Sequence, residues 1–266
     1  MTSGTEPEVN LAQAEWGINE AADQGATYVQ LPEYFNYLGS PRRYHEVAEA
    51  LPGPTTSRIA HLARARGVAV HLGSLLERSD VAGRYFNTSV VIDSRGDIVA
   101  RYRKTHLFDV DVAGVIAHHE SDVLIAGDEI VVVEVAGLHL GLSICFDLRF
   151  PELFRALALG GAQVLGVPAA FNASTGLAHW EMLVRARAIE NHAFVVAAAQ
   201  AGVTSEGVAT YAHSMVVDPW GEVVALARTD GPEVLVASID VGEVARRRAQ
   251  IDVLNLRRDD LYGPNR

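Results

Sequence analysis

Segments with the apolar patterns of helices and of β-strands alternate along the whole 266-residue chain. Residues 9–24, for example, place Leu11, Ala14 and Ile18 on one helical face. No Pro-, Gly- or Ser-rich linker, low-complexity tract or internal repeat interrupts this alternation. We therefore predict one α/β domain over residues 1–266.

The same patterns predict individual elements. Helices are predicted over residues 9–24, 55–66, 151–159 and 179–191. Strands are predicted over residues 27–31, 68–76, 86–92, 98–102, 130–135, 138–144, 163–167, 193–199, 213–217, 223–228 and 233–239. The stretch 103–127 has neither pattern, and long loops inside compact domains are usually functional. Parallel and antiparallel strands with paired helices favour two face-to-face sheets, but alternation alone equally allows a doubly wound sheet.

Composition excludes several classes of function. A net charge of −11 argues against a nucleic-acid partner, since phosphate binding needs a basic face. No apolar run reaches the roughly 18 residues of a membrane helix, and the polar, acidic residues 1–8 do not resemble a signal peptide. A single cysteine excludes an internal disulfide and a Cys-cluster metal site. We expect a cytoplasmic protein.

Lysine and cysteine each occur only once in the chain. Of the 22 Lys and Arg residues only Lys104 is a lysine, and Cys145 is the one cysteine. Lysine presents a compact charge that arginine cannot mimic, and a thiol beside such a cation can become a reactive thiolate. The alternative interpretation is that Lys104 is an ordinary surface charge and Cys145 a small buried apolar residue. Both residues, like Glu33 in Leu-Pro-Glu, follow predicted strands, so they can converge on one cleft.

Several sequence blocks around these residues resemble the carbon–nitrogen hydrolase (nitrilase) superfamily. The blocks are Arg101–Leu107, Cys145–Glu152, Ala178–Glu181, Arg185–Glu190, His213–Gly221 and Arg257–Gly263. The resemblance covers nearly the whole chain and implies an α-β-β-α sandwich without metal or cofactor. It also implies a homodimer or larger oligomer that pairs through helices 151–159 and 179–191. Because Phe-Asp-Leu-Arg-Phe-Pro-Glu follows Cys145, the chain resembles the Nit amidase branch.

The resemblance implies a role for each matching residue. Cys145 would be the nucleophile and Glu33 the general base. Lys104 would stabilise the oxyanion together with the backbone N–H of Phe146, and would favour ionisation of the thiol. Glu120 would orient Lys104 and the substrate.

Further candidates concern substrate binding. Arg149 is the cation nearest in sequence to the nucleophile, although the sequence favours a structural ion pair with Glu152 or another carboxylate for it. His179 and Trp180 are candidates to line the pocket, or else they support a helix end and the core. The histidine spacing does not favour a metal site.

The sequence therefore predicts a thiol amidase that releases ammonia from a small carboxylate-bearing amide. Within the Nit branch, the run at 196–200 and the block at 213–215 are most similar to deaminated glutathione amidases. An omega-amidase acting on 2-oxoglutaramate or 2-oxosuccinamate is the alternative. A binding or assembly protein that has lost activity is the alternative of another class.

One departure from the family concerns the first residues. Members usually begin with an apolar strand that ends just before a sequence like Met1-Thr2-Ser3-Gly4. We therefore expect either that translation starts upstream of Met1 or that the sheet lacks a strand beside residues 27–31, which would leave backbone groups there unpaired.

Overall fold

The computed structural model describes residues 1–112, 116–204, 207, 209–228 and 231–262, and in it two β-sheets lie between two layers of helices. The helices are α1 (Pro7–Asp23), α2 (Tyr44–Val47), α3 (Pro54–Arg66), α4 (Pro151–Leu159), α5 (Ala173–Asn191), α6 (Val241–Gln250) and α7 (Asp259–Tyr262). The strands of the first sheet are β1 (Tyr28–Gln30), β2 (Ala69–His71), β3 (Leu75–Arg78), β4 (Tyr85–Ile92) and β5 (Ile98–Arg103). A separate hairpin comprises β6 (Asp109–Val112) and β7 (Ile116–His119). The strands of the second sheet are β8 (Val132–Val135), β9 (Leu138–Leu142), β10 (Val164–Ala169), β11 (Phe194–Ala199), β12 (Met215–Val217) and β13 (Val223–Leu226).

Both sheets mix parallel and antiparallel pairs. The first has the order β1-β2-β4-β3, with β5 also paired to β4. The second has the order β13-β12-β11-β10-β9-β8. Strands β1 and β2 run parallel, as do β9, β10 and β11, whereas the other pairs are antiparallel. This topology excludes the doubly wound alternative.

Three apolar clusters hold the four layers together. The first cluster joins α1 and α3 to the first sheet through Ile18, Ile59 and Val70. The cluster between the sheets includes Val91, Tyr102, Leu140, Leu142 and Val164. The third joins α4 and α5 to the second sheet and includes Phe154, Trp180, Leu165 and Val195. Each fully buried apolar side chain of this size stabilises the fold by about 1.5–3 kcal/mol. The predicted α-β-β-α sandwich is confirmed.

The predicted strand 68–76 is in fact two strands, β2 and β3. Gly73 lies between them with φ +61, and a Cβ there would come within 2.0 Å of the Pro32 carbonyl oxygen. The chain therefore breaks at a glycine that packs directly against the segment leading to Glu33.

Three other expectations were wrong in detail. The stretch 103–127 contains the hairpin β6–β7. Helix α5 begins at Ala173 instead of His179, because the Asn172 side chain accepts a hydrogen bond from the Ser174 N–H and caps the helix. Residues 233–239 belong to no described strand.

A cavity of about 610 Å³ adjoins residues 233–239. They line this cavity together with β1, and within the described ranges β1 pairs only with β2. No described strand lies between the two segments to supply backbone partners. The missing strand beside β1, like the single domain over residues 1–266, stays a prediction. No helix in the described part of the chain is long and apolar enough to cross a membrane.

Candidate active site

The ends of four strands converge on a second cavity of about 580 Å³. Glu33 follows β1, Lys104 follows β5, Glu120 follows β7, and Cys145 begins a short 3-10 helix after β9. All four side chains line this cavity. The fold thus brings together the four residues for which the sequence predicts catalytic roles.

Lys104 is buried between two carboxylates. Its Nζ lies 3.0 Å from Glu33 Oε1 and 2.9 Å from Glu120 Oε2. Only 1% of Lys104, 2% of Glu33 and 6% of Glu120 is exposed. Burial alone would lower the pKa of the lysine, but the charges of Glu120 and Glu33 outweigh it and hold that pKa well above its ordinary value. The ammonium is therefore permanently charged at neutral pH.

Additional donors, which sequence reasoning missed, hold both carboxylates. Asn87 Nδ2 donates to Glu33 Oε1 at 2.9 Å, and the Ala170 N–H donates to Glu33 Oε2 at 2.8 Å. Tyr34 Oη donates to Glu120 Oε1 at 2.9 Å, and the Phe108 N–H donates to Oε2 at 2.8 Å. Both carboxylates are therefore held in one orientation by hydrogen bonds from other elements.

Cys145 lies at a strained turn. Its φ is +46, a left-handed value that a residue with a Cβ rarely adopts. Burial raises the pKa of its thiol well above the usual value, the Glu33 charge adds to this, and Lys104 opposes it. Lys104 favours ionisation of the thiol, as expected, but burial and the Glu33 charge outweigh it. The raised pKa favours the protonated thiol, which forms a hydrogen bond with Glu33.

Phe146 and Arg149 also line the cavity. The Arg149 guanidinium carbon lies 5.2 Å from the centre of the Phe171 ring and 5.9 Å from that of Phe146. Its Nη1 lies 3.3 Å from His179 Nδ1. Among the residues that the structure describes, no carboxylate forms an ion pair with Arg149, and the expected pair with Glu152 does not form. Arg149 is thus a cation that lines the cavity and has no ion-pair partner within the described ranges.

His179 and Trp180 do not line the cavity. His179 is exposed and reaches Arg149 from outside. Trp180 is fully buried, packs against Phe171 and donates its indole N–H to the His213 carbonyl at 2.8 Å. Both residues support cavity walls from behind, as in the alternative that the sequence left open.

Comparison with known proteins identifies the family. The model of the carbon-nitrogen hydrolase family matches residues 1–249. The chain belongs to this family. It is 42% identical to the deaminated glutathione amidase of Bos taurus, over 99% of this chain and 81% of that protein. It is 40% identical to omega-amidase NIT2 of Homo sapiens, over 95% of this chain and 91% of that protein. The chain is therefore a hydrolase related to amidases.

Solved structures agree with this assignment. Saccharomyces cerevisiae Nit3, described as a member of branch 10 of the nitrilase superfamily, superposes with a TM-score of 0.86 at 30% identity. That match covers 97% of this chain and 93% of Nit3. An amidase variant from Nesterenkonia sp. AN1 superposes with a TM-score of 0.82 at 26% identity, covering 98% of this chain and 93% of that one. Its active-site cysteine carries the acetamide moiety of fluoroacetamide. A cysteine in this fold can thus form a covalent adduct with an amide.

Proposed function

We propose that this hydrolase cleaves a small carboxylate-bearing amide through a thioester on Cys145. The observation that carries the proposal is the buried Lys104 ammonium, held by Glu33 and Glu120 in the cavity that contains the thiol. A charged lysine fixed beside a protonated thiol and a carboxylate supplies an oxyanion stabiliser, a nucleophile and a base.

The chemistry proceeds in two halves. In the first, Glu33 takes the proton of the Cys145 thiol while sulfur attacks the amide carbon, and the oxygen becomes an oxyanion. Lys104 and the N–H of Phe146 stabilise that oxyanion. Collapse breaks the C–N bond, and Glu33 gives its proton to the leaving amine. In the second half, Glu33 deprotonates a water that attacks the thioester, and the acid leaves as the thiol is regenerated.

Arg149 supports the choice of an acidic substrate. A half-buried guanidinium without a carboxylate partner among the described residues favours binding of a carboxylate that enters the cavity. Burial lowers the pKa of Arg149, but an arginine stays charged at neutral pH. We propose that Arg149 holds the end of the substrate distant from the scissile amide.

Arg149→Gln should therefore raise KM for an acidic amide by about 10-fold to 100-fold, the usual value of a hydrogen bond to a charged group. Glutaramate and pentanamide provide a matched pair, since they share the chain length and differ in the carboxylate. The variant should lose the preference for glutaramate and process pentanamide within about twofold of the wild type. An equal loss on both amides would show that Arg149 does not bind the carboxylate.

The deaminated-glutathione-type activity and the omega-amidase activity differ in the leaving group. Deaminated glutathione releases the amine of a dipeptide, whereas 2-oxoglutaramate releases ammonia. Because the relative named deaminated glutathione amidase and the one named omega-amidase are almost equally similar, both substrates must be assayed. We propose the former as the substrate type, so the proposed leaving group is the amine of a dipeptide and not the ammonia predicted from the sequence. A higher kcat/KM on 2-oxoglutaramate would reverse this choice, and inactivity on both, and on other amides, would favour a binding protein.

Assembly is also part of the proposal. Helices α4 and α5 expose large apolar side chains: Leu159 at 52%, Leu177 at 85%, Met182 at 68% and Ile189 at 46%. Large exposed apolar side chains on both helices favour association. We propose at least a homodimer that works in the cytoplasm. Light scattering at micromolar concentration should give at least twice the chain mass, and Met182→Glu should shift the mass toward the monomer. A monomeric wild type would contradict the proposal.

A further inference from the structure

Asp147 connects the segment that carries Lys104 to the turn that carries Cys145. This carboxylate lies two residues after Cys145 and is fully buried. Tyr102 Oη donates to its Oδ2 at 2.7 Å, and Thr105 Oγ1 donates to its Oδ1 at 3.1 Å. The His106 N–H donates to the same Oδ1 at 3.1 Å. Donors on both sides of Lys104 in the sequence thus converge on one side chain of the cysteine turn.

His106 is fixed in two ways by this turn. Its Nδ1 lies 2.7 Å from Asp147 Oδ1, which places the ring proton on Nδ1. Its ring stacks on Phe150, with centroids 3.7 Å apart and planes at 8°. Asp147 and Phe150 belong to the same short segment after Cys145, so they hold His106 as one unit.

Asp147 also holds the strained backbone of the nucleophile. The Ile144 N–H donates to Asp147 Oδ2 at 2.8 Å, and the Asp147 N–H donates to the Ile144 carbonyl at 3.0 Å. These two hydrogen bonds join Ile144 and Asp147 and so close a short turn that contains Cys145, whose φ is +46. A strained backbone persists only where its surroundings hold it on several sides.

We propose that Asp147 is a positioning residue that sets the location of Lys104 relative to Cys145. The proposal rests on the roles proposed above for those two residues. Neither Asp147 nor any of its donors Tyr102, Thr105 and His106 lines the cavity. The network therefore acts on the chemical step and not on substrate binding, because a misplacement of about 1 Å can cost about 10²-fold in rate.

The test replaces Asp147 with asparagine and measures kcat, KM and Tm on the amide that the wild type hydrolyses best. Asp147→Asn should lower kcat at least tenfold and leave KM within about twofold. Tyr102→Phe and His106→Gln, which each remove one donor, should lower kcat to a smaller degree with the same unchanged KM. If Asp147→Asn does not fold, Tyr102→Phe and His106→Gln test the proposal in its place.

Glu77→Gln is the matched control. Glu77 is also buried and also accepts from residues of β5, Arg101 and Arg103, but it has no bond to the cysteine turn. Glu77→Gln should lower Tm and leave kcat within about twofold of the wild type. The proposal is overturned if the folded network variants keep the wild-type kcat, if their loss lies in KM, or if Glu77→Gln loses as much kcat. An inactive wild type would instead refute the proposed function.

Discussion

Replacement of Lys104 by arginine is expected to reduce turnover at least about 10²-fold, the usual cost of one oxyanion donor, although the charge is kept. The lysine is 1% exposed, and its Nζ already contacts carboxylates on two sides. A planar guanidinium is too wide for this space and would separate Glu33 from Glu120. Steady-state ammonia or amine release measures the loss.

The adjacent residue provides a reciprocal control. Arg103 lies outside the cavity and forms two hydrogen bonds with Glu77. Arg103→Lys is the reverse substitution at the preceding position. It should keep activity within about twofold of the wild type while lowering Tm. Turnover of Lys104→Arg within about fivefold of the wild type would contradict the role of Lys104.

Glu33→Gln should have a comparable or larger effect, a loss of about 10²-fold to 10⁴-fold in kcat, the usual contribution of a general base. Glutamine can keep the hydrogen bonds from Lys104 and Asn87 but cannot take the thiol proton. Since burial raises the pKa of Cys145, the thiol does not ionise by itself at neutral pH.

The pH profile distinguishes a lost base from a distorted site. In Glu33→Gln the residual rate depends on the small thiolate fraction, which grows about tenfold per pH unit below the thiol pKa. The residual rate should therefore rise steeply between about pH 7 and about pH 9. The wild type should not show this slope, because Glu33 removes the proton during attack. A low and pH-independent rate in the variant would argue against the base role.

Sequence reasoning found the groups whose chemistry is rare in this chain. The single lysine and the single cysteine, with Glu33 and Glu120, lie in one cavity as predicted. Helix α4 has the predicted bounds because Pro151 fits the first turn, where no backbone donor is needed. Residues with a strong local signal could therefore be placed from sequence alone.

The supporting residues could not be found in this way. Asn87 is 54 positions from Glu33 in the sequence. Ala170 is 137 positions away and contacts Glu33 through its backbone N–H, so the residue type gives no indication of this contact. The strand predicted at 233–239 failed for a related reason, since strand pairing depends on a neighbour and not only on apolar alternation. Tertiary packing decides each of these cases.

A nucleophile that rests in its protonated form has a consequence for durability. Peroxides and other electrophiles attack the thiolate, so a raised thiol pKa protects Cys145 from sulfenic acid formation and irrelevant alkylation. Its reactivity appears only when an amide carbon lies in line with sulfur and Glu33 accepts the proton. A raised thiol pKa would thus slow oxidation of this half-buried cysteine between catalytic cycles.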